Sequence, residues 1–339
     1  MISVVPIERI IGAYGIYPYH IEQQSDCLYK VSDGRHAYAL KRSKLTEDAV
    51  LRWEQVYHQA YASHLVNVLP VYLTETGELY VRMDDSYYYL TPWITDRNPG
   101  HERCISDAYE AIGRVHAKTK QSISMDTAAV MQKFNDYQQH CVERHEALLT
   151  YVELFERNRF MSPFELQVCT HYHVLVNVLA ELDDHVEQLK VMLEHERKWH
   201  YSLLHGNLNL SHFLHQNNTY IINWERAAYD NAVVDLSIFL KRQVQYHDQQ
   251  TSQLAELFPA YQEQNPLTEM EQHLLTVYLL DPSDYITLID DYMANTGQTL
   301  VKQVQLLQRA FRRLEFGRRW SQLNEYDDST VSPENESGD

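Results

Sequence analysis

The sequence predicts an α+β chain in two lobes: a five-stranded antiparallel sheet with one main helix, followed by a mostly helical lobe. Strand-like runs are confined to the first 92 residues, apolar residues keep helical spacing over most of the rest of the chain, and one β-like interruption breaks the helical half near residues 202–222. With 339 residues, of which 44% are apolar, each lobe can bury a core of its own. These patterns divide the chain into lobes 1–92 and 93–324 and a disordered acidic tail, 325–339.

Ile7, Ile10, Ile11 and Tyr14 keep helical spacing up to Gly15, which predicts a short leading helix. Two β-like segments, around Cys27–Val31 and Ala37–Lys41, flank Asp33-Gly34, a dipeptide suited to a hairpin turn, so Lys41 ends the second of them. Thr46 is placed to cap a helix whose first turn carries Glu47 and Asp48, where carboxylates favour the positive end of the helix dipole. Ala49, Trp53, Val56 and Ala60 form the buried stripe of that helix. Val68–Thr74, Leu79–Met83 and Tyr87–Thr91 read as three further strands, separated by Thr76-Gly77 and by Asp84-Asp85-Ser86.

After Pro92 the period changes. Ala108, Ile112, Val115 and Thr119 are helically spaced, and the stretches 134–155 and 164–197 are helix-like. Ser202–Leu204, Phe213–His215 and Tyr220–Ile222 are short apolar runs, the last two joined by the turn-forming Asn217-Asn218. Helical patterns resume from Asp235 to about Leu323. The final 15 residues hold six acidic side chains and no basic one, too few apolar groups to offset the entropy of ordering.

A formal charge of −18 disfavours a large grip on nucleic acid or an anionic membrane, because those surfaces repel it. Cys27, Cys104, Cys141 and Cys169 are widely spaced and include no CxxC, a pattern of free thiols in a reducing compartment. The N-terminus lacks a basic region followed by a long apolar run, and no segment reaches 18 uncharged apolar residues, so synthesis in the cytoplasm and no membrane partner are expected. Tyrosine is unusually common, 25 against 9 phenylalanines, which suits half-buried positions whose hydroxyls reach water.

The run His205-Gly206-Asn207-Leu208, continued by Asn209, Leu210, Ser211, His212, Phe213 and Leu214, resembles the HGDLxxxN run of aminoglycoside phosphotransferases. Ile222-Asn223-Trp224-Glu225 comes eight residues later, as the metal-binding strand end of that kinase-like superfamily does, and Asp235-Leu236 matches its downstream D-L. Tyr38-Ala39-Leu40-Lys41 resembles the strand bearing its nucleotide-phosphate lysine. The resemblance implies a helix carboxylate as partner for Lys41, with Glu54 first and Glu47 second.

At the positions where the family carries a catalytic aspartate and two metal ligands, this chain carries Asn207, His212 and Asn223. A side-chain amide takes up no proton near neutral pH, so Asn207 cannot act as general base, a role worth about 10²- to 10⁴-fold in rate. Magnesium prefers anionic oxygens; Asn223 offers a neutral one, and an imidazole at His212 suits zinc or copper better. The loop Gln23–Tyr29 that would cover phosphates contains no glycine. Lys41 and Glu54 therefore mark a vestigial nucleotide site; no cofactor is expected, and ATP and magnesium would meet a weakened pocket.

Tyr14-Gly15-Ile16-Tyr17-Pro18, the strand ending in Ala39-Leu40-Lys41, and Thr91-Pro92-Trp93-Ile94 are similar to the bacterial spore coat group that includes CotS and YsxE, most of all its YsxE branch. That resemblance implies a non-catalytic pseudokinase that serves as a structural or scaffolding protein in sporulation, located in the coat, with other coat proteins as partners. Two alternatives stay open: a phosphotransferase acting on a small hydroxylated molecule, and a pseudokinase that binds ATP without consuming it. Exposed tyrosines could also be crosslinked oxidatively in a coat layer. His171 and His173 near Cys169 point two ways on a helix and are read as structural, and Arg309, Arg312, Arg313, Arg318 and Arg319 as a solvated face or a complement to the acidic tail.

Overall fold

A strand with almost no apolar signal opens the N-terminal sheet of this computed structural model, which describes residues 7–244, 251–295 and 297–329. In chain order the first elements are α1 (Ile7–Gly12), β1 (His20–Ser25), β2 (Leu28–Ser32), β3 (Ala37–Ser43), α2 (Glu47–Ala62), β4 (Val81–Met83), β5 (Ser86–Pro92), α3 (His101–Thr119) and β6 (Gln121–Ser124). Two long helices succeed them, α4 (Thr127–Glu156) and α5 (Pro163–Leu193). Then come β7 (Lys198–Leu204), β8 (Phe213–His215), β9 (Thr219–Ile221), β10 (Ala228–Asp230), α6 (Val233–Gln243), α7 (Ser252–Glu256), α8 (Pro259–Gln262), α9 (Glu269–Leu280), α10 (Ser283–Met293) and α11 (Leu300–Ser329).

The chain forms two compact units, Met1–Gln121 with Tyr201–Ala232 and Leu257–Asn265, and Ser122–His200 with Val233–Glu256 and Pro266–Asp339. In the first, five antiparallel strands are ordered β1-β2-β3-β5-β4. Leu40 lies opposite Leu90, and both are fully buried in a core with Ile10, Ile11 and Val31. One residue further along, Lys41 lies opposite Tyr89. Because successive strand residues alternate faces, this second pair points to the other side of the sheet. There Trp53 of α2 packs on Tyr89 with ring centroids 4.9 Å apart. Thr46 caps α2 as expected, accepting from the Ala49 N–H, and Val50, Trp53 and Val56 are its buried residues.

The predicted strand Val68–Thr74 is not one. Pro70 has no N–H to give a ladder, and the segment makes scattered bonds, among them Leu69 N–H to the Ile221 carbonyl at 3.3 Å and Tyr72 N–H to the Leu90 carbonyl at 2.8 Å. The fifth strand is instead β1, whose residues are nearly all exposed, so no apolar alternation announces it. The predicted Leu79–Met83 strand shortens to β4.

In the second unit α5 packs against α4, α9 and α11. Ser162 and Glu165 form a reciprocal capping box with Pro163 in the first turn of α5, and Thr268 and Glu271 do the same for α9. His171 is a packing residue: its ring stacks on Phe311 at 3.5 Å and its Nδ1 lies 3.0 Å from the Tyr285 hydroxyl. Arg313 and Arg318 pair with Asp284 and Glu181. α11 runs to Ser329, five residues into the segment assigned to the tail, since no proline or glycine follows Gly317 before Pro333. The remainder of that tail, 330–339, lies outside the described residues. The four cysteines are free, and among the described residues no helix is long and apolar enough to cross a membrane.

Gly317 of α11 faces the backbone of α9, where an added Cβ would sit 2.7 Å from the Leu279 carbonyl oxygen. Gly317→Ala is therefore expected to destabilise the protein by about 1–3 kcal/mol through overpacking, although alanine is the better helix former. Urea denaturation checks the sign.

Candidate functional site

The loop 205–207 and the turn 222–225 are tied together through one imidazole. Gly206 has φ +71°, and a Cβ there would lie 2.2 Å from the Arg226 carbonyl oxygen, so only glycine allows the two backbones to approach this closely. The buried His205 ring reaches across the gap. Its Nε2 lies 2.8 Å from the Ile222 carbonyl, and its Nδ1 accepts the Asn207 N–H at 3.2 Å. A carbonyl only accepts, so Nε2 carries the proton and the tautomer is fixed. Trp224, also buried, packs 5.0 Å from His205 and donates its indole N–H to the Ile221 carbonyl at 3.0 Å.

Asn223 sits in the left-handed region, φ 69° and ψ 52°, which asparagine tolerates better than most residues. Its Oδ1 accepts from the Lys41 ammonium at 2.6 Å. The same ammonium donates to the Glu225 carboxylate in a very short contact, and the Tyr89 hydroxyl donates to that carboxylate at 2.8 Å. Lys41 and Glu225 side chains are only 21% and 17% exposed, so the pair is largely screened from water.

Burial alone would raise the Glu225 carboxyl, but the Lys41 charge and hydrogen bond, aided by the Tyr89 hydroxyl, outweigh it and hold the group below its ordinary value. Burial first, and then the Glu225 charge, push the Tyr89 hydroxyl well above its ordinary value. Glu225 is therefore ionised and Tyr89 neutral at neutral pH.

The structure brings Lys41 and Asn223 into contact and places Asn207 on the adjoining loop, but it does not join Glu54 or Glu47 to Lys41. The Trp53 and Tyr57 rings of α2 lie 4.6 Å apart at a tilt of 58°, and Trp53 packs against Tyr89, so this face of the helix is occupied by rings. Glu47 pairs with Arg82 on the surface at 3.3 Å. His212, on a 3₁₀ turn, lies with its ring 5.2 Å from His205. Glu225 and Tyr89 are the functional residues that sequence reasoning missed. Their signal was present in the carboxylate two places after Asn223 and in the tyrosine opposite Lys41.

The donor set does not fit a divalent cation. Asn207 and Asn223 are neutral, the Asn223 oxygen faces an ammonium, and among the described residues no group of three or more His, Cys, Asp or Glu side chains is placed to hold a metal.

A sheet of five antiparallel strands with one helix, a helical lobe, and an HG-loop beside an N-W-E turn define a kinase-like fold. The model of the phosphotransferase enzyme family matches residues 22–273, and the chain belongs to that family. Among solved structures it is similar to an aminoglycoside phosphotransferase from Alicyclobacillus acidocaldarius, at 16% identity, a TM-score of 0.73, and 98% of each chain covered. It is also similar to spectinomycin phosphotransferase in complex with ADP and spectinomycin, at 11% identity and TM-score 0.54, covering 91% of this chain and 95% of that one. A microcompartment-associated aminopropanol kinase is similar at 13% identity and TM-score 0.52, with 94% and 97% covered. No curated protein sequence matches the chain. At these identities the structural likeness speaks for the fold.

Lys41→Met leaves the Glu225 carboxylate without its cation and is expected to cost about 3 kcal/mol. Lys41→Met combined with Glu225→Leu should recover most of that loss in a urea double-mutant cycle. Because the folded-state Glu225 value is depressed, its contribution is present above about pH 4.5 and lost as pH falls through the lower folded-state value. Glu225→Gln should flatten that part of the acid stability profile.

Proposed function

We propose that this chain is a non-catalytic member of the phosphotransferase family that serves as a structural or scaffolding protein of the bacterial spore coat. The observation that carries the non-catalytic reading is the pair of amides at 207 and 223, the second of which accepts from Lys41. Phosphoryl transfer depends on charge neutralisation and positioning of the phosphates. Here neither amide offers a base or an anionic metal ligand. Lys41 is the vestige of a nucleotide site, without the Glu54 partner expected for it, and the protein works without ATP or magnesium.

The coat assignment is supported by the likeness of Tyr14–Pro18, Ala39–Lys41 and Thr91–Ile94 to the CotS and YsxE group. On this reading the protein is made in the cytoplasm, its partners are other coat proteins, and it binds neither nucleic acid nor membrane. Tyr17, Tyr19 and Tyr61, each at least 85% exposed, are the side chains available for crosslinking in such a layer.

The family match favours a second reading, a phosphotransferase for a small hydroxylated molecule. Calorimetric titration with ATP and magnesium into the millimolar range divides the two. No saturable heat and no ATP turnover are expected; turnover that disappears in Lys41→Ala would establish the enzyme instead. A fluorescent fusion in sporulating cells is expected to collect at the forespore surface, and a uniform cytoplasmic signal would remove the coat role.

A further inference from the structure

Glu54, the carboxylate expected beside Lys41, makes no hydrogen bond or ion pair among the described residues and lines a cavity of about 580 Å³ in the first unit. This volume falls within the range of small-molecule sites. The cavity lies between the second half of α2 and the segment 65–79, with Tyr57, Tyr61, Leu65, Val68, Leu73 and Leu79 among its lining residues. Leu65 and Val68 are buried, whereas Tyr61 and Leu73 are 87% and 57% exposed, so apolar and aromatic surface runs from the floor out to solvent.

Two carboxylates meet this apolar wall, Glu54 and Glu78. Burial first, then the charge of Glu54, and after it those of Tyr87 and Glu78, push the Tyr80 hydroxyl up. Arg82, the cation that opposes them there, is directed to Glu47 and to the face of the Tyr87 ring. The other titratable lining residues are Tyr57, Tyr61 and His58, all on α2, and His58 is exposed.

These groups select the chemistry of the occupant. An anion is repelled by both carboxylates and by a chain of net charge −18. A neutral apolar molecule would strip water from carboxylates and return nothing. A bare metal ion would find an apolar wall in place of converging oxygens. An ammonium carried on an apolar body satisfies every part, since tyrosine rings also attract cations.

We propose that this cavity binds a small organic cation, an aryl- or alkylammonium, with its charge between Glu54 and Glu78 and its apolar body against Tyr61, Leu65 and Leu73. Neither carboxylate belongs to the Lys41 cluster, so binding here is independent of whether the cleft turns over ATP.

Calorimetric titration of the full chain at pH 8 with benzyltrimethylammonium, benzyl alcohol and benzenesulfonate tests this. One-to-one saturable binding of the ammonium is expected, at least about tenfold weaker binding of the alcohol, and none of the sulfonate. Glu54→Gln and Glu78→Gln should each weaken the ammonium about three- to fivefold. Leu73→Lys, which places a competing charge at an exposed position, should abolish binding while leaving the melting temperature unchanged. Equal affinity for the ammonium and the alcohol would overturn the proposal. So would binding that survives both glutamine substitutions together or Leu73→Lys. Light scattering that shows a dimer which Leu73→Lys dissolves would assign the groove to a second copy of the chain and overturn it as well.

Discussion

Lys41 and Glu225 lie 184 residues apart, and their pairing organises everything around it. The lysine comes from the middle of the N-terminal sheet, the carboxylate from the turn after β9, and the tyrosine that supports the carboxylate from the neighbouring strand β5. Two opposite charges largely removed from water hold each other firmly only when their remaining hydrogen-bonding capacity is met. Asn223 and Tyr89 meet it here, and Trp53 backs Tyr89 from α2. One cation from the sheet thus ties the turn 222–225 to β3 and β5.

Much of the fold was legible because it is written in local patterns. The Asp33-Gly34 turn, the Thr46 cap and the change of period after Pro92 each involve residues a few places apart, and each predicts its element correctly. The strand β1 was not legible, since an edge facing water needs no apolar alternation. Val68–Thr74 misled for the opposite reason: its β-branched and aromatic residues suit a strand, but Val68 and Thr74 are buried while Tyr72 and Leu73 are exposed, and Pro70 forbids the ladder. The site obeyed the same division. Asn207, His212 and Asn223 were picked out by the resemblance of two short runs to the family's motifs. The partner of Lys41 was not, because a family pattern points to a helix carboxylate and only tertiary packing reveals that rings occupy that helix face.

The face of α2 that points to the sheet carries Trp53, and the next turn carries Tyr57, which lines the cavity behind it. The charge of Glu225 is felt at the Tyr57 hydroxyl, which burial first and then that carboxylate push up. One helix therefore forms a wall common to the cleft and to the cavity, with aromatic rings as its filling.

The knot between residues 205–207 and 222–226 is made almost wholly of peptide groups: a carbonyl held by His205, an amide held by the same ring, and a glycine pressed against another carbonyl. None of these contacts depends on which functional group sits at the end of the side chain at 207 or 223. Architecture and reactivity are thus assigned to different atoms. Chemistry can be erased from such a loop by exchanging an oxygen for a nitrogen, while its form persists undisturbed.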